Sequence, residues 1–330
     1  ISMKKDFEII KSGNLTKKES IFIQGFLANY YLNNKFSNKQ KKVFFISANE
    51  KLNSCKKNNK SSAIQIILKN SLNETFLKDC SFDKSRTYVV NLENEDLLYD
   101  YKEISLKNQI FFNKPIIKNI IEENKFIFVS SKIEEIEKFR LFSKKNNLAI
   151  DEENLIYLKN NDDFEIFVSE IFGQQESLKR NRNVARIINR DLQFTSRKRQ
   201  DINSIILSSN SEITKRLLPA LKYNLLIDLK IFNMPNHYDT WSNSSTPNDL
   251  NSSEGLEYPI LVNKVNFGDQ DFLKLTSDEK IIYSLGFDTL GIASDRNYFG
   301  FLGQYTIRNN KISLQPISVD FEKNQIKQRF

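Results

Sequence analysis

The sequence predicts an α/β protein with two interleaved Rossmann-like lobes and mostly parallel sheets. Apolar runs of strand length alternate with helical segments along most of the chain, which is the order that parallel sheets require. The 330 residues exceed the length that one hydrophobic core usually organises. No fixed-period repeat or low-complexity linker divides the chain, so we expect the two lobes to exchange segments several times.

The first third of the chain opens this alternation. The apolar run Phe7–Ile10 predicts a strand, and residues 20–36 have the spacing of an amphipathic helix. Apolar runs at 41–49 and 86–94 predict two further strands. Residues 62–72 fit either a helix or a strand.

The middle of the chain repeats the pattern. Strands are predicted at four apolar runs, 125–131, 153–160, 204–207 and 225–234. Helices are predicted at 114–124, 132–148 and 212–223, and residues 161–190 should be helical for much of their length. A loop rich in Asn, Ser and Pro follows, and residues 258–267 predict a strand that leads into the last helix.

Residues 279–321 hold four of the nine glycines and predict a helix, a glycine-flanked turn and a terminal hairpin. Gly300 and Gly303 are predicted to be hinge and turn residues at a crossing between the lobes. The returning strand, 312–321, contains Pro316, which we place at an edge or a bulge because proline cannot donate to a ladder. This hairpin is expected to complete the second lobe.

The charge of the chain is basic, with 49 Lys and Arg residues against 41 Asp and Glu residues and a net charge of +8. Such a balance suits nucleic acid, an anionic membrane or an anionic polymer. Dispersed lysines favour a solvated surface instead. The densest cluster, residues 179–199, either binds phosphate or another polyanion or forms the polar face of a helix and a loop.

Catalytic and metal-binding motifs are missing from the sequence. Cys55 and Cys80 form no CxxC pattern, so a metal site is not expected, and the two thiols are either free or joined in a disulfide. His237 is the only histidine, and it lies in a loop-like stretch. No phosphate-binding glycine motif occurs and no apolar run reaches the roughly 18–20 residues of a membrane helix. The sequence therefore predicts a non-enzymatic protein without a cofactor.

Three stretches in order resemble a known family. Residues 7–31 resemble its opening strand, Ser-Gly turn and helix, and residues 197–224 resemble its basic lead into a strand and a proline-containing helix. The closing stretch carries a third motif at Tyr283, Leu285, Gly286, Asp288, Gly300 and Gly303. In these motifs the chain resembles the C-terminal domain of LpoA-type penicillin-binding protein activators. These are outer-membrane lipoproteins with a type I periplasmic-binding-protein fold.

The resemblance implies an arrangement of lobes. Lobe 1 would contain residues 1–112 and 264–297, and lobe 2 would contain residues 113–263 and 298–330, with three crossings at the hinge. The sequence departs from the family at residues 64–77, which lack its glycine-proline turn, and at residues 96–113.

In such a fold, ligands bind at the carboxyl ends of strands. The small polar residues predicted at those ends are Ser12, Gly13, Asn91, Ser130, Ser131, Ser208 and Ser209. Their side chains would either contact a ligand between the lobes or cap the following helices, and the turn chemistry favours capping.

The resemblance also implies a function. The leading hypothesis is an envelope protein that binds and stimulates a bifunctional class A penicillin-binding protein, with peptidoglycan as a further partner and no nucleic acid. It would be periplasmic and held at the outer membrane by a lipid anchor upstream of this chain. The alternative is a periplasmic solute-binding receptor for a small ligand, and a third hypothesis is polyanion binding through residues 179–199.

Overall fold

The structure, a computed structural model, describes residues 7–10, 15–36, 43–47, 64–68, 84–92, 101–106, 115–123, 125–148, 150–159, 163–224, 226–235, 238, 250–263, 270–295, 297–322 and 325–329. Within them the fold is mixed α/β with two mostly parallel sheets, so the predicted fold class is confirmed. Cys55, Cys80, His237, Ser12 and Gly13 lie outside the described residues, and so do the predictions made for them.

Fifteen strands are described, and their bounds follow in chain order: β1 Phe7–Ile10, β2 Val43–Ser47, β3 Ile64–Leu68, β4 Thr87–Asn91, β5 Lys102–Ser105, β6 Phe126–Ser130, β7 Leu155–Tyr157, β8 Ser204–Ser208, β9 Lys230–Asn233, β10 Ser253–Glu257, β11 Asn297–Phe299, β12 Gln304–Arg308, β13 Lys311–Gln315, β14 Ile317–Glu322 and β15 Gln325–Arg329.

Nine α-helices are described in the same residues: α1 Lys17–Phe36, α2 Pro115–Glu122, α3 Ile133–Lys145, α4 Phe164–Ile171, α5 Gln174–Ile188, α6 Ser211–Tyr223, α7 Pro259–Val262, α8 Gln270–Leu273 and α9 Ser277–Ser294. Gly173 separates α4 from α5 because its backbone is left-handed, with φ of 69°.

The chain divides into two compact units. The first unit contains residues 1–110, 258–260 and 265–316, and the second contains residues 111–257, 261–264 and 317–330.

The sheet of the first unit has the strand order β1-β2-β3-β4-β5-β13-β12-β11. Strands β1 to β5 are parallel in chain order, and β13 continues the parallel set beside β5. Strands β12 and β11 then add antiparallel partners. All five residues of β4 are buried, as expected for a strand that is covered on both faces.

Helices α1 and α9 of the first unit pack with their backbones in close approach. A β-carbon on Gly25 of α1 would lie 1.9 Å from the carbonyl oxygen of Tyr283. A β-carbon on Gly286 of α9 would lie 2.0 Å from the carbonyl oxygen of Phe22. Each helix thus contributes a glycine where the other helix's backbone needs room. The side-chain amide of Asn29 also donates to the carbonyl of Phe287 across this interface.

The sheet of the second unit has the order β15-β14-β10-β9-β8-β6-β7, and β10 to β7 are parallel. Strand order reverses beside β6, since the next strand in the chain, β7, lies on one side of it and β8 on the other. Apolar residues of β6 and β8 belong to two hydrophobic clusters. One cluster includes Phe172 and Leu207, and the other includes Phe128 and Phe139.

Two predicted elements differ from the structure near the chain's crossings. Residues 258–267 were expected to form a strand, but Pro259–Val262 is a helix, and proline suits the first helical position because its missing N–H needs no partner there. The predicted returning strand is divided at Pro316 into β13 of the first sheet and β14 of the second.

The division at Pro316 also moves a segment between the predicted lobes. Residues 298–316 were expected in the second lobe, whereas the structure has them in the first unit. The reason is strand pairing: β13 hydrogen-bonds to β12 and lies beside β5, so the hairpin extends the first sheet. Only β14 and β15 of this C-terminal segment join the second sheet.

Candidate functional site

Polar residues end four neighbouring strands of the second unit's parallel sheet. These residues are Ser130 on β6, Ser208 on β8, Asn233 on β9 and Glu257 on β10. Because the strands are parallel, their carboxyl ends share one edge of the sheet, where α/β proteins place ligands. Ser130 and Ser208 were predicted as site residues, and Asn233 and Glu257 were missed.

The structure brings the predicted serines of the second unit together at the point where the strand order reverses. Ser130 and Ser208 are register partners in the parallel pair of β6 and β8. The backbone N–H of Ser131 donates to the carbonyl oxygen of Ser208 at 3.3 Å. Ser209, which follows β8, is buried.

The hydroxyls of Ser130 and Ser209 are occupied by local hydrogen bonds. The Ser130 hydroxyl accepts the backbone N–H of Lys132 and donates to the carbonyl of Lys132, both at 3.0 Å. The Ser209 hydroxyl is 2.8 Å from that of Thr214, in the first turn of α6. Asn210 caps the same helix, since its side chain accepts the N–H of Ile213 at 3.0 Å. These contacts fix the turns that lead into α3 and α6.

Asn233 and Glu257 make hydrogen bonds to neighbouring segments of the second unit. The side-chain amide of Asn233 donates to the Ser253 hydroxyl at 2.9 Å, and its buried carbonyl oxygen has no hydrogen-bond partner among the residues that the structure covers. A buried Glu257 carboxylate oxygen accepts the backbone N–H of Tyr238 at 3.2 Å. Asn233 stands at the end of an apolar run, the same signal that identified Ser130 and Ser208. Glu257 follows the residues Ser-Glu-Gly-Leu, which are not an apolar run, so no such signal marked it.

Asn91 lies apart from this cluster, at the carboxyl end of β4 in the first unit. It is buried, and its side-chain amide donates to a carboxylate oxygen of Glu103 on β5 at 3.0 Å. The structure therefore gives Asn91 a cross-strand contact inside its own sheet.

The predicted turn residues Gly300 and Gly303 close a tight turn in the first unit. Gly300 N–H donates to the Gly303 carbonyl at 2.9 Å, and Gly303 N–H donates back at 3.3 Å. Inside the turn, the N–H groups of Phe301 and Leu302 donate to the two carboxylate oxygens of Asp288 at 2.8 and 3.0 Å. The Phe301 carbonyl accepts the N–H of Ile260, which lies where the chain passes between the units.

Asp288 is the most perturbed acid of this turn. It is fully buried on α9, and burial raises the pKa of its carboxyl from 3.8 to about 7, although the two backbone hydrogen bonds lower it. Burial also raises the pKa of the neighbouring Tyr305 phenol, and the charge of Asp288 raises it further. In the sequence, Asp288 stands within the third family-like motif, and nothing there predicts a role for it.

A shallow cavity of about 190 Å³ lies at the other edge of the second sheet, where β9 and β10 begin. Its lining consists of Lys230, Ile231, Ser252, Ser253, Glu254, Asp320, Phe321 and Glu322. The volume is below the roughly 300–1,000 Å³ of typical ligand pockets.

In the described ranges, no group of three or more His, Cys, Asp or Glu side chains is arranged to hold a metal ion. None of the helices in this part of the chain has the length and apolarity of a membrane span.

No protein-family profile and no curated protein match the sequence. Solved structures match nearly all of it. The C-domain of LpoA (YraM) from Haemophilus influenzae, a regulator of PBP1A, has a TM-score of 0.62 at 10% identity, with 98% of this chain and 99% of that chain covered. A protein described as a branched-chain amino acid ABC transporter from Rhodospirillum rubrum has a TM-score of 0.50 at 8% identity, with 98% of each chain covered. The chain has a type I periplasmic-binding-protein-like fold.

The resemblance to the LpoA C-terminal domain, indicated by three sequence motifs, is thus confirmed at the level of the fold. Full-length LpoA from Haemophilus influenzae matches with a TM-score of 0.58 at 10% identity, and this chain spans 58% of its length. At these identities the similarity is one of fold.

Proposed function

We propose that the protein is a non-enzymatic envelope protein that binds a bifunctional class A penicillin-binding protein and stimulates peptidoglycan synthesis. The observation that carries the proposal is the match to the LpoA C-domain, which regulates PBP1A and is covered over 99% of its length. The transporter-related structure has the lower TM-score, 0.50 against 0.62.

The state of the strand-end side chains supports a docking role. Ser130 and Ser209 use their hydroxyls within their own turns, and Asn210 caps α6. A receptor needs polar groups that are free to meet its ligand, because an unmatched buried polar group costs about 1–3 kcal/mol. The hydrogen bonds of Ser130, Ser209 and Asn210 hold turns in place instead, whereas the side-chain oxygen of Asn233 has no hydrogen-bond partner among the described residues.

The proposal includes a compartment and partners. The protein would work in the periplasm, with outer-membrane attachment through a lipid anchor upstream of this chain and peptidoglycan as a further partner. No nucleic acid partner is part of the proposal.

The direct test uses the purified chain and the detergent-solubilised class A synthase of the same organism. We expect the synthase to retain the protein at micromolar concentration and to polymerise glycan strands faster in its presence. A heat-denatured sample of the protein serves as the control. Absence of binding at micromolar concentration, with both partners folded, would remove the proposal.

A solute receptor is the second candidate, favoured by the similarity to the transporter-related structure over 98% of the chain. Its test is a thermal-shift screen against amino acids, short peptides and cell-wall fragments. A melting shift with one ligand, together with no binding to the synthase, would favour the receptor.

A further inference from the structure

The most basic part of the molecule is a single projecting segment of the second unit. Residues 174–199, here called the basic arm, contain eight basic and two acidic residues, a net charge of +6 against +8 for the whole chain. The chain as a whole is rich in lysine, with 37 lysines against 12 arginines. Six of those 12 arginines lie in the 20 residues from Arg180 to Arg199. The positive excess of the protein is therefore concentrated in this arm.

Among the described residues, the contacts that hold the arm to the rest of its unit lie near the base of the arm. In α5 the buried residues are Gln174 and Ser177, and none of residues 178–195 is buried. The Gln174 side chain donates to the Asn224 carbonyl at 2.8 Å. After α5 the chain turns back at Asn189, whose backbone is left-handed, and the N–H of Arg197 donates to the Ser177 hydroxyl at 3.0 Å. This arrangement presents most of the arm to its surroundings.

Apart from Arg197, whose backbone joins the base, the arginines of the arm divide into two groups. Arg199 belongs to the base, where it pairs with Asp201 and donates to Asn154. Arg180, Arg182, Arg186 and Arg190 are exposed, and their side chains make no ion pair or hydrogen bond with the residues that the structure describes. Arg182 and Arg186 are four residues apart on one helix, a like-charge spacing that destabilises a helix by a few tenths of a kcal/mol. The fold alone gives no reason to place them there.

Apolar side chains are interleaved with these cations. Ile187 is 81% exposed, which is the highest value among the large apolar residues that the structure describes as exposed. The other exposed large apolar residues of the arm are Leu178, Val184, Ile188, Leu192 and Phe194. Arginine beside apolar side chains is the composition of protein–protein interfaces, from which lysine is depleted.

We propose that the basic arm is the surface on which the class A synthase docks, through an acidic patch of that enzyme; this inference rests on the function proposed above. Guanidinium forks match carboxylates in a bidentate way, which explains arginine in a lysine-rich chain. A diffuse anionic lipid surface attracts lysine and arginine alike. A second copy of this chain is disfavoured as the occupant because two arms of charge +6 repel each other.

The test compares charge-reversal variants in binding to the detergent-solubilised synthase at several salt concentrations. Arg182→Glu with Arg186→Glu alters the arm, and Lys144→Glu with Lys145→Glu makes the same charge change on exposed residues of α3. Ile187→Ala removes the exposed apolar side chain. Circular dichroism and melting temperature establish that each variant is folded.

We expect the arm double variant to weaken binding about tenfold or more and to flatten its salt dependence, since charge pairs steer association. Ile187→Ala should weaken binding with the salt dependence unchanged, and the α3 control should bind as the parent protein does. If the parent protein binds and all variants bind equally, the arm is not the docking surface, while the proposed function stands. If the parent protein does not bind the synthase, both proposals fail.

A second experiment measures binding of the same variants to vesicles of phosphatidylethanolamine and phosphatidylglycerol (3:1). Sedimentation with these vesicles that is lost in Arg182→Glu/Arg186→Glu, with unchanged synthase binding, would assign the arm to a lipid surface and overturn the inference. Weak vesicle binding that is equal in all variants, with synthase binding lost in the arm variant, would support it.

Discussion

The carboxylate of Asp288 on α9 lies so close to Gly300 that a β-carbon at position 300 would be 2.4 Å from Oδ1. This proximity lets both carboxylate oxygens accept backbone N–H groups of the turn that Gly300 begins. The turn also accepts the N–H of Ile260, where the chain passes between the two units. Because Gly300 has no side chain, the buried Asp288 carboxylate can reach the backbone of the Gly300–Gly303 turn. This turn is hydrogen-bonded to Ile260, next to the point where the chain leaves the first unit.

Replacement of Gly300 by alanine should destabilise the protein. The added methyl group must displace the Asp288 carboxylate or the turn, and overpacking of this kind costs about 1–3 kcal/mol. Urea unfolding followed by circular dichroism measures the loss. In an Asp288→Ala background the same change should cost less, because the carboxylate is gone. An equal cost in both backgrounds would show that the contact with Asp288 does not set the requirement for glycine.

Asp288 should make the folded protein less stable as pH rises, the opposite of the effect of an acid whose pKa is lowered by folding. The folded protein holds a proton on a carboxyl with a pKa of about 7, and the unfolded chain releases it near the ordinary pKa of 3.8. The contribution of this group is therefore complete below pH 3.8 and is lost as pH rises through about 7, with a slope of up to about 1.4 kcal/mol per pH unit. Glu279, whose pKa is lowered mainly by its hydrogen bond with Lys17, acts in the opposite direction.

The comparison with Asp288→Asn isolates this effect from the other acids. Unfolding free energies of the parent protein and the variant are measured at pH 5, 6, 7 and 8. We expect the parent protein's advantage over the variant to shrink as pH rises across this range. Parallel curves would mean that Asp288 does not change its protonation with folding.

Local sequence patterns predicted the parts of the fold that depend on neighbours in the chain. Apolar runs located β6 and β8, and the polar residues that end them identified Ser130 and Ser208 as strand-end residues. The structure then places the two residues opposite each other in the β6–β8 pair. The division at Pro316 was not predictable in this way, because residues on both sides of it have the same strand pattern. Which sheet each half joins depends on β5 and β10, which lie far away in the chain.

The same contrast between local pattern and distant contacts applies to the basic cluster and to Asp288. The basic cluster at residues 179–199 was visible in the sequence, but its separation from the rest of the molecule depends on where the chain folds back to Ser177. Asp288 could not be distinguished from a surface acid, since its burial results from packing of α9 and from the turn 12 residues later. Distant contacts decide what a residue does once its local structure is set.

The crossing of α1 and α9 should tolerate no side chain at its two glycines. Gly25→Ala and Gly286→Ala each place a methyl group about 2 Å from a backbone oxygen of the other helix, which a side-chain rotation cannot relieve. We expect a loss near the upper end of the roughly 1–3 kcal/mol range for overpacking, measured by urea unfolding. Gln24→Ala, on the exposed side of the same turn, is the control and should stay within about 0.5 kcal/mol. Parent-like stability of both glycine variants would contradict the close crossing.

Ser130→Ala should distinguish capping from ligand binding at the carboxyl edge of the second sheet. The variant leaves the N–H and the carbonyl of Lys132 without the buried hydroxyl, so we expect a loss of about 0.5–1.5 kcal/mol in urea unfolding. Ser131→Ala is the matched control, because its half-buried side chain makes no hydrogen bond within the described part of the chain, and it should be neutral. Stimulation of the synthase should be unchanged in both variants at temperatures where they are folded. If Ser130→Ala kept full stability but abolished synthase stimulation or a ligand-induced melting shift, the hydroxyl would be a binding contact and the turn would hold without it.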